Sequence, residues 1–419
     1  MDTAIRESQN YMHDNQRLLT FPIFFLLVYL VCIYFPHVYN IFPFLRHKKI
    51  VLLAGILLLI SYLFTCDRYH NITAYKHPIF LAWVVLLFIM PFGLIYSMDR
   101  GITKAFIEAS YKYFLIFMIM IKIIDSAKRL NLIMGIFALC GVGMALGSLF
   151  WGMVSARGRT MSIQAGLFAD PNDLCFLLNC TLPFLLFILL KSKRKLLPLA
   201  GIIVVITAIV LTFSRGGFLG LCMAGFGFTL FIARKSKKYL FFVLTAAVLV
   251  WSYAPTAYKE RIATITDWRY DKKTGLTGTR MDSWLPAVKW GLQHPITGQG
   301  AGATLYFNGM TRHDWHVTHN SFVQILAGTG IIGFASYIML FIIPFRQFTT
   351  LIRQNAFLSN EDMLRMRTIM ISFFTYATTA FFLPQGYSPI LYLLTGLYLI
   401  QAQLIFKSTA LGMFLQNES

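Results

Sequence analysis

Three side chains stand where apolar sequence gives way to polar sequence: Arg215, Arg280 and His319. Arg215 lies in Ser214-Arg215-Gly216-Gly217, between two apolar runs. An arginine at a membrane edge is costly unless an anion pairs with it. The adjoining glycines let backbone approach a ligand closely. The same residues open the next apolar helix, so free N–H groups and a positive dipole end face the same way as the guanidinium. A guanidinium fork suits phosphate oxygens in two-point contact, and anchoring to a lipid headgroup is the plainer alternative. Arg280 lies in Thr277-Gly278-Thr279-Arg280-Met281-Asp282, where a surface pair with Asp282 is the plainer reading. His319 opens an apolar run ahead of Asn320. There an imidazole can accept a proton from a hydroxyl. The helix dipole disfavours its charged form, while a bound diphosphate would favour it.

Other residues are secondary candidates. Asp170-Pro171-Asn172-Asp173 fits a helix start, with Asp170 as cap and Pro171 in the first turn. Asn172 and Asp173 are also candidates to face a site, and Arg157 and Arg159 precede them. His294-Pro295-Ile296-Thr297-Gly298-Gln299-Gly300-Ala301-Gly302 reads either as an anion-binding backbone nest or as a plain turn. Trp284, Ala287 and Trp290 suggest a short amphipathic helix on the membrane surface. His313 and His316 lie near His319, but no carboxylate cluster accompanies them, so no metal is expected. The six cysteines form no Cys-x-x-Cys pair and read as small apolar residues.

The elements that must position these residues are membrane helices. The composition is 57% hydrophobic and 13% charged, about half the charged share of a soluble domain. About twelve apolar stretches fall near 18–36, 49–66, 78–97, 103–124, 130–152, 172–190, 196–213, 217–234, 238–254, 319–345, 366–383 and 386–406. The expected fold is therefore an all-α polytopic membrane protein with about twelve transmembrane helices. Its parts are an N-terminal tail (1–17), helices one to nine (18–254), a large loop (255–318), helices ten to twelve (319–406) and a C-terminal tail (407–419). No removable signal peptide is expected, because residues 1–17 are polar and of mixed charge.

Lys191, Lys193, Arg194 and Lys195, then Arg234, Lys235, Lys237 and Lys238, then Arg346, Arg353, Arg365 and Arg367 occupy alternate connections. The positive-inside rule makes those cytoplasmic, with both tails, and puts the large loop outside. Arg46, Lys48 and Lys49 dissent. Arg159, Asn172, Asp173, Arg215, Arg280 and His319 then share the outer face. The net charge of +20 comes largely from these short connections. No basic-aromatic module accompanies it, so nucleic acid is not an expected partner.

Ser214-Arg215-Gly216, Arg280, His294-Pro295 with Gly298 and Gly300, and His319-Asn320 with Gly330 and Gly333 resemble the O-antigen ligase and polymerase superfamily. The resemblance covers roughly residues 160–340. It implies a bacterial inner-membrane glycosyltransferase with its large loop in the periplasm. The implied donor is a glycan on undecaprenyl diphosphate, and the implied acceptor is lipid A–core. It also implies that Arg215 and Arg280 hold the diphosphate and that His319 is the base, with no cofactor. Arg159, Asn172, Asp173 and Asn320 are secondary positions. A polymerase, or a ligase acting on a protein acceptor, shares these motifs. A transporter of lipid-linked glycans is the rival from another class. It predicts repeated halves and charges near the midplane, whereas the polar residues here cluster at one edge.

Overall fold

The computed structural model describes residues 18–45, 49–66, 69, 73–154, 160–161, 167–232, 236–263, 265, 280–304, 318–353 and 359–417. Among them are fourteen helices of eight residues or more. These are α1 (Phe21–Tyr34), α2 (Ile50–Leu63), α3 (Pro78–Ile89), α4 (Arg100–Ile123), α5 (Ala127–Phe150), α6 (Pro171–Lys191) and α7 (Leu196–Leu211). There follow α8 (Arg215–Phe231), α9 (Lys237–Tyr253), α10 (Thr256–Ala263), α11 (Arg280–Gly291), α12 (Ser321–Arg353), α13 (Asn360–Ala380) and α14 (Pro389–Asn417). Met153–Val154 and Thr160–Met161 pair as a small antiparallel ribbon between α5 and α6.

Each of the twelve apolar stretches holds one helix, and the architecture is that of an all-α membrane protein. Among the described residues, four helices are long and apolar enough to cross a membrane unaided: Ala127–Trp151, Pro171–Lys191, Ser321–Arg353 and Pro389–Lys407. The pair α9 and α10, bent by 106°, makes a fifth if taken as one span. Others are short; α1, for example, has 14 residues and rises only about 21 Å, against a hydrocarbon core of ~30 Å. α14 continues past residue 406 to Asn417.

α6 is the centre of the bundle and packs against α5, α7, α8 and α13. Small and hydroxylated residues make the close contacts, as suits helices that gain little from excluding water in lipid. Ser372 donates to the Cys180 carbonyl across α13 and α6 (2.7 Å), and Ser336 donates to the Ala82 carbonyl across α12 and α3 (2.6 Å). Trp83 stacks on Tyr392 with centroids 3.8 Å apart and donates its indole N–H to Thr395 (3.0 Å), tying α3 to α14.

The two ends of the bundle differ. At one end Arg365, 3% exposed, donates to Asp362, Glu361 and Gln401. Lys191 at the end of α6 pairs with the same Glu361. At the other end lie the starts of α6, α8, α11 and α12.

α12 departs from the sequence expectation. The sequence reads 319–345 as one span, and its small residues Gly330 and Gly333 suit close helix packing, yet the helix breaks at Gly330, with φ 67° and ψ −168°. The segment from His294 to Gly302 lies against that break. The N–H of Gln299 donates to the Ala327 carbonyl (2.8 Å), that of Gly300 to Gly328 (3.1 Å), and that of Ile331 to Pro295 (2.6 Å). A Cβ on Gly330 would sit 2.4 Å from the Pro295 carbonyl oxygen. Gly330→Ala therefore meets both a positive φ and a backbone clash. It is expected to cost more than about 1 kcal/mol and to lower the melting temperature of the detergent-solubilised protein. An unchanged melting curve would show that the break is not needed.

Candidate active site at one end of the helix bundle

Asn172, Asp173, Arg215 and His319 stand at helix entries, and each of those entries has its own cap. Asp170 accepts from the Asn172 N–H (2.7 Å) and opens α6. Ser214 accepts from the Gly217 N–H (3.1 Å) and opens α8, making Arg215 its first residue. Arg215 thus sits in a first helical turn, and the connection from α7 is only Thr212 to Ser214. Asn320 is buried and accepts from the N–H groups of Phe322 and Val323 (2.9 and 3.0 Å), opening α12. The Asn320 side-chain oxygen thus serves the helix start.

These entries are joined by hydrogen bonds between elements. Ser321 donates to the Leu383 carbonyl (2.6 Å) and accepts from the Gln385 N–H (2.8 Å). The Gln385 side-chain amide donates to Asp173 (2.7 Å). One residue earlier in α6, Asn172 accepts from the Ser214 hydroxyl (2.9 Å). The path runs from the α12 entry, through the turn before α14, across the start of α6, to the α8 entry. It brings His319, Asp173, Asn172 and Arg215 to one end of the bundle.

Arg280 opens α11, one turn before Trp284. The Trp284 indole donates to the Thr318 carbonyl (2.7 Å), next to His319. α11 packs against α12, where a Cβ on Gly291 would lie 2.5 Å from the Ala327 Cα, and Ala287 and Trp290 are buried. That corrects the expectation of a helix lying on the membrane: its buried face meets protein. The side chains of residues 280–282 lie outside the description, as do Arg157, Arg159, His313 and His316.

The nest reading of the glycine-rich segment does not hold. The N–H groups of Gly298, Gln299 and Gly300 donate to the carbonyls of His294, Ala327 and Gly328, so they do not point at an anion. Positive φ at Gly298, Gly300 and Gly302 shapes a strap that fits the broken helix. Tyr96 stacks on His294 (3.6 Å), and Thr103 donates to the Ala301 carbonyl (3.1 Å), pinning the strap to the α3–α4 side.

One device has no signal in the sequence. Among the described residues, the non-glycine positions with positive φ are Phe213 (51°) and His319 (47°). Each comes immediately before the cap of its helix, Ser214 and Asn320. Such a conformation costs roughly 1–3 kcal/mol for a non-glycine residue. α8 and α12, at the starts of which Arg215 and His319 stand, are both entered through it. At Phe213 the ring is held near Tyr258 of α10 (6.0 Å), so the bend after α9 braces the α8 entry.

This end of the bundle therefore offers a guanidinium and an imidazole at capped, rigid helix entries, with a carboxylate and amides between them. Residues 200–338 match the O-antigen ligase family model. No curated protein matches the chain. The O-antigen ligase segment covers about a third of the chain and contains Arg215, Arg280, His319, Asn320, Gly330 and Gly333. It supports the O-antigen ligase superfamily and a membrane enzyme of ligase or polymerase type, with glycosyltransferase-type activity. Asn172, Asp173 and Gln385 lie outside the O-antigen ligase segment and reach it through the hydrogen bonds above.

Proposed function

We propose that this chain is an O-antigen ligase: it moves a glycan from undecaprenyl diphosphate to a sugar hydroxyl of lipid A–core. The observation that carries the reading is the path from Ser321 through Gln385, Asp173 and Asn172 to Ser214. It links the His319 and Arg215 helix entries at one end of the bundle. In this proposal the chain crosses the bacterial inner membrane twelve times with both tails in the cytoplasm. Residues 255–318 belong to the periplasmic side, where the site is. The basic cluster of Lys191, Arg129 and Arg365 at the opposite end supports that orientation.

The chemistry follows from the groups present. The bond that breaks joins the anomeric carbon to the diphosphate, so negative charge grows on the departing oxygens. Arg215 and Arg280, each at a helix start, offer positive charge and backbone dipoles to it. The acceptor hydroxyl loses its proton to His319 as its oxygen bonds to the anomeric carbon. Attack opposite the leaving group inverts that centre. Asp173 and Gln385 hold the α6 start against the α12 entry, so that base and clamp keep a fixed separation. No metal and no nucleotide take part in these steps.

The test is reconstitution of the purified protein in vesicles with undecaprenyl-diphosphate glycan and lipid A–core. We expect undecaprenyl diphosphate to be released only when acceptor is present, with an inverted linkage and an unchanged rate in EDTA. Release without acceptor, or no transfer with both lipids present, would contradict the ligase reading.

A further inference from the structure

A second feature lies on the flank away from α8. Helices α1, α2 and α4 splay around a groove of about 780 Å³. That is within the usual roughly 300–1,000 Å³ of ligand pockets, which also occur between the helices of bundles. Its walls are Ile33 of α1, Leu52 and Ile56 of α2, and Ala109 and Ile116 of α4. The charged groups lining it are Lys49 at the start of α2 and the pair Glu108–Lys112 on α4, 3.6 Å apart. Gly55 lies against the α1 and α4 walls: a Cβ there would be in van der Waals contact with Tyr29 at 3.6 Å and Ile116 at 3.9 Å.

We propose that this groove seats the acyl chains of a phosphorylated saccharide lipid, the acceptor of the reaction above. The assignment as acceptor rests on that transferase reading. Three observations support it. The groove starts at the same end of the bundle as the site: it includes Leu167, just ahead of the Asp170 cap. On the adjoining face of α4, Phe106 packs on Tyr387, two residues from Gln385 (5.2 Å). Its α4 wall runs from Ala105 to Ile116, a rise of roughly 16 Å. That is about half of the ~30 Å hydrocarbon core, the depth of one leaflet's acyl chains, and an eleven-unit prenyl chain is longer. Its ionised side chains are two lysines and one glutamate, a balance that suits phosphate at the rim. The diphosphate candidate Arg215 belongs to α8, which packs on α6 and α13 and not on α1, α2 or α4. Two lipid-borne substrates would thus approach the site along different helices.

The experiment uses the full-length protein in vesicles of phosphatidylethanolamine and phosphatidylglycerol. A photo-crosslinking phenylalanine analogue replaces Tyr39, an aromatic residue already lining the groove, or Phe241 on the exposed face of α9 as control. The probe is purified lipid A–core. We expect saturable labelling of the probe from position 39 and none from position 241. Ala109→Phe, which fills the groove, and Lys49→Glu, which reverses its rim charge, should raise the acceptor KM. The expected rise is about tenfold, the equivalent of roughly two buried methylene groups. The donor KM should not move. Labelling of the polyprenyl donor alone, or of bulk phospholipid that the probe does not displace, would overturn the proposal, as would an unchanged acceptor KM in both variants. Saturable labelling in a protein that transfers no glycan would sustain the groove as a lipid site and overturn the transferase reading instead.

Discussion

Replacing His319 with glutamine is expected to slow glycan transfer by about 10²–10⁴-fold, the usual contribution of a positioned general base. Donor binding should survive. Glutamine retains a hydrogen-bonding head but cannot carry the proton of the acceptor hydroxyl. The substitution adds no new backbone strain of its own kind, since φ at position 319 is already 47° with a non-glycine residue in place. The α12 start is capped by Asn320 and fixed by Ser321, so the helix should form as before. Single-turnover transfer measured across a range of pH decides the matter. A rate near the native one over that range would remove His319 from the role of base.

The second large effect belongs to Arg215. Arg215→Ala is expected to lower transfer by about 10²–10³-fold, the scale of losing one preorganised group that stabilises developing negative charge. Arg215→Lys should recover only part of this, because a point charge lacks the two-point fork. The fold should hold in both variants. The α8 entry is capped by Ser214, and the helix is seated by glycines: a Cβ on Gly220 would come within 2.4 Å of Thr379, and one on Gly217 within 2.0 Å of Cys175. None of those contacts uses the Arg215 side chain. Release of undecaprenyl diphosphate, measured beside a melting curve, separates the two possibilities. Native turnover in Arg215→Ala would take the guanidinium out of the site.

The helices and their starts were legible because their signals are local. Runs of apolar residues name a helix wherever they occur, and Asp170-Pro171 reads as a helix start because its cap reaches only two residues on. What joins them was not legible, because it depends on residues far apart in the chain. Gln385 and Gly386 read as the turn between the last two spans on the same face as the other candidates, but the reach of Gln385 to Asp173 and Ser321 depends on α13 having crossed back. The glycines of α12 gave the right positions and the wrong geometry. Two glycines three apart suit close helix packing, but here one of them breaks the helix so that a strap can lie against it. The backbone at Phe213 is the clearest omission. Phenylalanine has no preference for positive φ, so only the brace from Tyr258 and the short turn before Ser214 account for it.

The central claim is that glycan passes from a lipid diphosphate to a lipid-borne acceptor. The most direct measurement is the glycan profile of a strain lacking this gene, read on both lipopolysaccharide and the lipid carrier. The account predicts long chains accumulating on undecaprenyl diphosphate and lipopolysaccharide reduced to bare core. Core bearing a single repeat would make the protein a polymerase instead, and normal profiles on both lipids would contradict the account outright.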